Sequence, residues 1–192
     1  MEGFRRRSVR LKGYDYSRAG YYFVTINSRE SECTFGKVVA GRVELSDIGK
    51  MVAQEWSRTG EIRKEIRLDE WILMPNHVHA VVVILNTESG SPIGPYVSRS
   101  ASSRKARSLS SLIGGFKSKT SSRAKTPSER AITSIWQRNY YEHVIRNERS
   151  LNLIRLYIQL NPRMWEENID FDLSNMSLEE IDARLARFRN EM

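Results

Sequence analysis

Apolar residues recur along the chain in two patterns, and each pattern predicts a different kind of element. Short runs rich in aromatic and β-branched residues predict strands. These runs cover 21–27, a hairpin within 33–45 that turns at Ala40-Gly41, 66–74, 77–85 and 141–146. Only Pro75-Asn76 separates the segments 66–74 and 77–85, so we expect these two strands to pair as an antiparallel ladder.

Helical spacing and capping residues predict four helices, at 47–58, 109–124, 150–160 and 178–190. Ser46 is the expected N-cap of the first helix and Ser150 that of the third, while Ser177 and Glu180 have the spacing of a capping box. The third helix is expected to end at Leu160, because a residue that precedes a proline avoids helical backbone.

The order of these elements predicts an α+β fold. Its simplest form is a ferredoxin-like arrangement, with helices packed on one face of a mostly antiparallel sheet. We divide the chain into a basic N-terminal arm (1–13), a main domain (14–168) and an acidic helical extension (169–192). Within the main domain, the Ser- and Arg-rich stretch at about 86–108 is expected to be a mobile insert or a long loop.

Composition narrows the class of protein. The chain has 192 residues, 40% of them apolar, a formal net charge of +8 and a pI near 9.8, which favours a polyanionic partner such as nucleic acid. Cys33 is the single cysteine, so disulfide frameworks and thiolate zinc clusters are excluded. No apolar run approaches the length of a membrane span and the basic start does not resemble a signal peptide, so we expect a cytoplasmic protein without a membrane partner.

The charge is distributed unevenly. Residues 98–130 contain nine basic residues and one acid, an excess equal to the net charge of the whole chain. Beyond Trp165 the sign reverses, with eight acids against three arginines. The acidic tail therefore either shields a basic DNA-binding surface or is simply a solvated capping helix, and the sequence leaves both open.

The strongest candidate for a functional site is His77-Val78-His79, at the start of an apolar strand. Side chains two apart on a strand share a face, so both imidazoles can converge on one metal ion; the alternative is two partly buried histidines with structural hydrogen bonds. Tyr157 and Asn161, four apart on a predicted helix, share one side and could meet that ion. Tyr157 taken alone would more often be a core aromatic.

These residues, together with other blocks of the chain, resemble those of a known family. His77-Val78-His79 after Leu73-Met74-Pro75-Asn76 resembles the His-hydrophobic-His motif of HUH endonucleases. The blocks at 22–25, 115–118, 136–147 and 157–162 are similar to REP-associated tyrosine transposases, which are single-tyrosine HUH enzymes, and they occur in the family's order. The resemblance covers roughly residues 14–168.

The resemblance implies metal-dependent nicking of single-stranded DNA and strand transfer, with repetitive palindromic hairpins as the expected target. By matching positions, Tyr157 is the nucleophile that forms a 5′-phosphotyrosine, and His77, His79 and Asn161 bind Mg²⁺ or Mn²⁺. Some relatives carry glutamine where this chain has Asn161. Relatives include monomers and homodimers with exchanged helices, so the oligomeric state and the subunit that the Tyr157 helix serves stay open.

DNA binding is expected to use the basic centre of the chain. Phe116 beside Lys117 and Lys119 offers a stacking ring among phosphate-neutralising charges, and Arg138 and Arg146 are further candidate phosphate contacts. The two arginines could equally be solvated surface residues. Two rival functions remain, a catalytically silent hairpin-binding protein and a metallohydrolase that uses water as its nucleophile.

Overall fold

The structure is a computed structural model that describes residues 14–86, 108–124, 134–169, 171 and 176–189. Six strands lie within these residues: β1 (Gly20–Asn27), β2 (Gly36–Val39), β3 (Arg42–Leu45), β4 (Ile66–Leu73), β5 (His77–Ile84) and β6 (Tyr141–Ile145). Four α-helices accompany them: α1 (Asp47–Ile62), α2 (Leu109–Ala124), α3 (Glu148–Glu166) and α4 (Leu178–Arg189). A short 3-10 turn, Arg29–Ser31, follows β1.

Four strands form one sheet in the order β4-β5-β1-β6, and every neighbouring pair in it is antiparallel. Strands β2 and β3 form a separate hairpin that the chain inserts between β1 and α1. Without that hairpin, the order of strands and helices is that of a ferredoxin-like fold. The predicted α+β class is therefore confirmed.

The helices cover both faces of the sheet. Tyr22, Val24 and Ile26 of β1 point into a hydrophobic cluster with α1 and α2, whereas Phe23 points into a second cluster with α3 and α4. The expectation of helices on one face is wrong. Strand β5 shows this directly, because its residues from Val78 to Ile84 are all buried. A strand that is covered on both sides needs apolar residues at successive positions.

Most predicted boundaries agree with the structure to within a few residues. The hydroxyl of Ser46 accepts the Gly49 N–H at 3.0 Å and caps α1. Ser177 and Glu180 form the predicted capping box of α4, with the Ser177 N–H donating to the Glu180 carboxylate at 2.7 Å and the Glu180 N–H to the Ser177 hydroxyl at 3.2 Å.

Helix α3 differs from the prediction at both ends. Asn147, not Ser150, is its N-cap, and its side chain accepts the Ser150 N–H at 2.8 Å. The helix also runs through Pro162 to Glu166. Pro162 lacks the N–H that would donate to the Ile158 carbonyl, so the helix loses one backbone hydrogen bond. Buried residues on both sides of Pro162 nevertheless hold the helix against the protein.

Parts of the predicted domain organisation lie outside the described residues, namely the arm at 1–13 and positions 87–107 of the insert. Helix α4 of the acidic extension shares a hydrophobic cluster with α3 through Ile181, Leu185 and Phe188. In the described part of the chain, no helix combines the length and the apolar character that crossing a bilayer requires.

Candidate active site and nucleic-acid interface

The two motif histidines lie side by side on β5. Their ring centroids are 4.3 Å apart, and they face away from α1 and α2, toward α3. In the antiparallel register, His77 is opposite Asn27 and His79 is opposite Thr25, both on β1. The sequence-based expectation that both imidazoles share one face is thus what the structure shows.

His77 is held through its ring nitrogen Nδ1, and the Asn161 side chain lies beside the ring. Its Nδ1 lies 2.6 Å from the Asn76 side-chain oxygen, and its Nε2 is buried with no hydrogen-bond partner among the described residues. Burial lowers the pKa of His77 to about 4, and the neighbouring Asn161 side chain opposes this shift only in part. His77 is therefore neutral at physiological pH.

His79 is engaged through both ring nitrogens. Nδ1 lies 2.9 Å from the Thr25 hydroxyl, and Nε2 lies 3.0 Å from the Tyr157 hydroxyl. The Phe23 ring stacks on the imidazole at a centroid distance of 5.4 Å. Burial, and secondarily the nearby His77, keep the pKa of His79 well below its usual value, so this ring is neutral as well.

Helix α3 carries a stripe of three side chains toward the histidines. Tyr157, Asn161 and Trp165 are spaced four apart, and the Trp165 ring lies 5.9 Å from that of His77. Sequence reasoning missed Trp165, because it ended the helix at Leu160. The tyrosine and both histidines belong to the same chain, so the phenol lies beside the imidazoles of its own subunit.

Tyr157 is well covered in this structure. It is only 5% exposed. Its ring centroid lies 6.1 Å from that of Phe23 and 5.1 Å from that of Phe171. Phe171 follows α3 and precedes α4, so the acidic extension contributes part of the cover. This cover limits the access of a phosphodiester to Tyr157.

Polar contacts tie α3 to the rest of the fold at two points. Arg155 forms a two-pronged ion pair with Asp69 of β4, at 2.7 and 2.8 Å. This contact lowers the pKa of Asp69, chiefly through the hydrogen bonds from Arg155. About three turns further along the helix, the Glu166 carboxylate accepts the Gly41 N–H at the tip of the β2-β3 hairpin, at 2.6 Å. These contacts fix the helix that carries Tyr157.

The donor set suits a divalent ion with open coordination positions. Two neutral imidazoles and the Asn161 amide are brought together, and the orphaned Nε2 of His77 is a buried lone pair or N–H that lacks a partner. Among the described residues there is no cluster of three or more His, Cys, Asp or Glu side chains. A site completed by substrate oxygens is compatible with these residues.

The predicted nucleic-acid contacts separate into two groups. Phe116 is only 3% exposed and packs between Trp56 and Trp136, at centroid distances of 4.8 and 5.3 Å. The prediction that Phe116 stacks on a DNA base is wrong, because its side of α2 faces α1 and the core. The block that contains Phe116 lies on the face of the sheet opposite to the histidines.

Lys117 also has a structural task. Its ammonium donates to the Gln137 and Asn139 carbonyls at 2.7 and 2.8 Å, and burial lowers its pKa to about 8. It thereby ties the loop before β6 to α2. The remaining candidates, Lys119, Arg138 and Arg146, are exposed, and their contact with DNA stays a prediction.

Comparisons with known proteins place the chain in context. No family model matches it. The structure of a REP-associated tyrosine transposase bound to a REP hairpin is similar, with a TM-score of 0.54 and 18% identity, over 92% of this chain and 80% of that one. This similarity shows that the two chains share the fold.

A protein of Haemophilus influenzae, described as uncharacterized, is 37% identical over 166 residues, which are 85% of this chain and 91% of that protein. Identity at this level over nearly the whole of both chains reflects common descent. The chain belongs to the same protein family as this Haemophilus influenzae protein, on the fold of a REP-associated tyrosine transposase.

Proposed function

We propose that this protein nicks single-stranded or hairpin DNA with Tyr157 as its nucleophile and transfers the cut strand through a 5′-phosphotyrosine intermediate. The observation that carries the proposal is the 3.0 Å distance between the Tyr157 hydroxyl and Nε2 of His79, beside the orphaned Nε2 of His77. A phenol and two neutral imidazoles meet there within one buried site.

The role proposed for each residue of the site follows from the chemistry of its side chain. The neutral imidazoles of His77 and His79 offer lone pairs, and the Asn161 amide offers an oxygen, so these three would hold a divalent ion, Mg²⁺ or Mn²⁺. Such an ion supplies positive charge that favours the phenolate and polarises the phosphate. The hydrogen bond between the Tyr157 hydroxyl and Nε2 of His79 holds the phenol oxygen in the same site.

The covalent step balances without an external energy source. The Tyr157 oxygen forms a bond to phosphorus while the bond from phosphorus to the 3′-oxygen breaks. The phenolic proton is lost and the departing 3′-oxygen ends as a hydroxyl. Because one phosphoester replaces another, a 3′-hydroxyl can reverse the step or a different strand end can complete the transfer.

Recognition of DNA would combine charge and stacking. The similar transposase structure contains a REP hairpin, which makes a palindromic hairpin the first ligand to test. Exposed Lys119, Arg138 and Arg146 would neutralise phosphates. Trp165, partly exposed and next to His77, replaces Phe116 as the aromatic residue able to stack on a base near the scissile phosphate.

The test uses hairpin DNA labelled at either end and incubated with the full chain and Mn²⁺. We expect a 3′-labelled strand to yield a labelled protein and a 5′-labelled strand to yield a shorter free strand with a 3′-hydroxyl. His77→Ala should lose the adduct yet keep most of the affinity for the hairpin. A free 5′-phosphate without an adduct would instead mean water attack, and cutting undiminished by a chelator would reject the metal.

A catalytically silent hairpin-binding protein is the second candidate, and the cover over Tyr157 favours it. Only 5% of that side chain is exposed. If this function is correct, the protein binds the hairpin tightly but forms no adduct with any divalent ion. The same labelled substrates therefore separate the two functions.

A further inference from the structure

We infer that Asn76 is a positioning residue that fixes the tautomer of His77, so that Nδ1 carries the proton and Nε2 presents its lone pair inside the site. The inference deepens the proposed function, on which its consequence for metal binding rests. The structural part of it, the tautomer, stands on contacts of the metal-free protein alone.

The orientation of the Asn76 amide follows from its two contacts. Its Nδ2 lies 3.1 Å from the Ser31 carbonyl, which can only accept a hydrogen bond, so the NH₂ group must point to Ser31. The amide oxygen is then directed at His77 Nδ1, 2.6 Å away. An amide oxygen also only accepts, so Nδ1 must be the donor.

A neutral imidazole carries a single N–H. With that proton on Nδ1, the nitrogen left with a lone pair is Nε2, which is buried and has no hydrogen-bond partner in the described part of the chain. The opposite tautomer would bring two acceptors, the Asn76 oxygen and an unprotonated Nδ1, together at 2.6 Å. This penalty favours the proton on Nδ1.

The Ser31 carbonyl is placed by an unusual turn. Glu30 and Ser31 both have left-handed backbone, with φ of 56° and 60°, which non-glycine residues adopt only when their surroundings impose it. Long-range bonds hold this turn: the Ser28 N–H donates to the Asn76 carbonyl at 2.8 Å and the Arg29 N–H to the Ile135 carbonyl at 2.8 Å. Asn76 is thus joined to the turn by its backbone and by its side chain.

His79 has a parallel but less directional arrangement. The Thr25 hydroxyl lies 2.9 Å from Nδ1 and can either donate or accept. A hydroxyl therefore cannot impose a tautomer on its ring as an amide oxygen can. Asn76 is the residue whose chemistry dictates the position of the proton, and it does so for His77.

The test measures the tautomer directly. Histidine ¹⁵N shifts and two-bond ¹H–¹⁵N correlations, recorded on the metal-free full chain in weakly alkaline buffer, identify which ring nitrogen is protonated. We expect His77 to be protonated at Nδ1. Asn76→Ala should let the Nε2–H form gain population, whereas Asn76→Asp, which keeps the acceptor and loses the donor, should keep the proton on Nδ1. A purely structural role for Asn76 predicts no such rescue.

Metal affinity supplies the second readout. Loss of an outer-shell partner of this kind weakens metal binding by about 10- to 100-fold, so Asn76→Ala should bind Mn²⁺ that much more weakly while Asn76→Asp retains most of the affinity. Asn152→Ala, which removes an exposed asparagine on α3, is the matched control and should change neither measurement.

Two results would overturn the inference. The first is a wild-type His77 protonated at Nε2, a measurement that needs no variant and so survives any failure of Asn76→Ala to fold. The second is an Asn76→Ala protein that keeps the wild-type tautomer. If the tautomer is as expected but the protein binds no Mn²⁺ and forms no DNA adduct, the proposed function fails while the role of Asn76 in the fold stands.

Discussion

The hydroxyl of Tyr157 is the most informative atom to remove, because it has both a structural and a chemical consequence. Tyr157→Phe keeps the ring and its contacts with Phe23 and Phe171 and deletes only the oxygen. That oxygen lies 3.0 Å from Nε2 of His79, within a side chain that is 5% exposed.

The cost to stability follows from what is left behind. His79 is 6% exposed, so its Nε2 cannot recover a partner from solvent without rearrangement. Leaving a buried polar atom unsatisfied costs about 1–3 kcal/mol. In a chain of this length, each 1 kcal/mol corresponds to about 2–4 °C in Tm. The variant should therefore melt roughly 2–12 °C below the wild type.

Tyr22→Phe is a matched control for the loss of a buried phenol. The Tyr22 hydroxyl donates to the Arg18 carbonyl at 2.7 Å, and its ring is fully buried on the α1-α2 face, away from the histidines. We expect Tyr22→Phe to lose stability by a similar amount and to keep nicking. Tyr157→Phe should bind hairpin DNA nearly normally and form neither nick nor adduct.

Thermal unfolding and the labelled-hairpin assay check the two consequences separately. Nicking by Tyr157→Phe at the wild-type rate would show that another group is the nucleophile. An unchanged Tm would show that the bond between Tyr157 and His79 contributes nothing to the folded state. Loss of activity in both phenylalanine variants would trace the effect to instability instead of chemistry.

Three further predictions test the site and its scaffold. Burial lowers the pKa of His77 from 6.5 to about 4, so the stability gained from the neutral ring is complete above about pH 6.5 and is lost as the pH falls toward 4; urea unfolding should show a loss of about 3 kcal/mol that His77→Gln removes. Gly49→Ala should destabilise by about 1–3 kcal/mol, since its Cβ would lie 2.0 Å from the Phe35 carbonyl oxygen. Gly114→Ala, with open space around it, should stabilise α2 by about 0.5–1 kcal/mol in the same assay. Trp165→Ala should weaken hairpin binding by about 1–3 kcal/mol, and an abasic nucleotide beside the scissile phosphate should erase the difference from wild type; a persistent difference would contradict stacking.

Several features of the site could be predicted because they depend on local periodicity. Strand alternation puts His77 and His79 on one face, and helical spacing puts Tyr157 and Asn161 on one side of α3, whatever the rest of the fold does. Capping residues and the short connection at Pro75-Asn76 likewise act over a few residues.

Phe116 and α3 mark where local patterns were insufficient. The sequence around Phe116 is typical of a DNA-binding helix, but its ring fills the space between Trp56 and Trp136, and that choice depends on which face of the sheet α2 covers. Pro162 is a helix stop by local rules, yet packing on the sheet and the contact of Glu166 with Gly41 carry the helix past it. Only this extension brings Trp165 to His77.

The sequence by itself thus determined the strands, the helices, the α+β class and the shared face of the two imidazoles, since backbone geometry imposes these within a few residues. Tertiary structure alone decided which aromatic ring is buried, how far α3 runs, and the link from Ser31 to Asn76, which are 45 residues apart, and on to the His77 ring. The reason is that such contacts are selected by the burial of whole apolar faces and the satisfaction of buried polar groups, which no short stretch of sequence specifies.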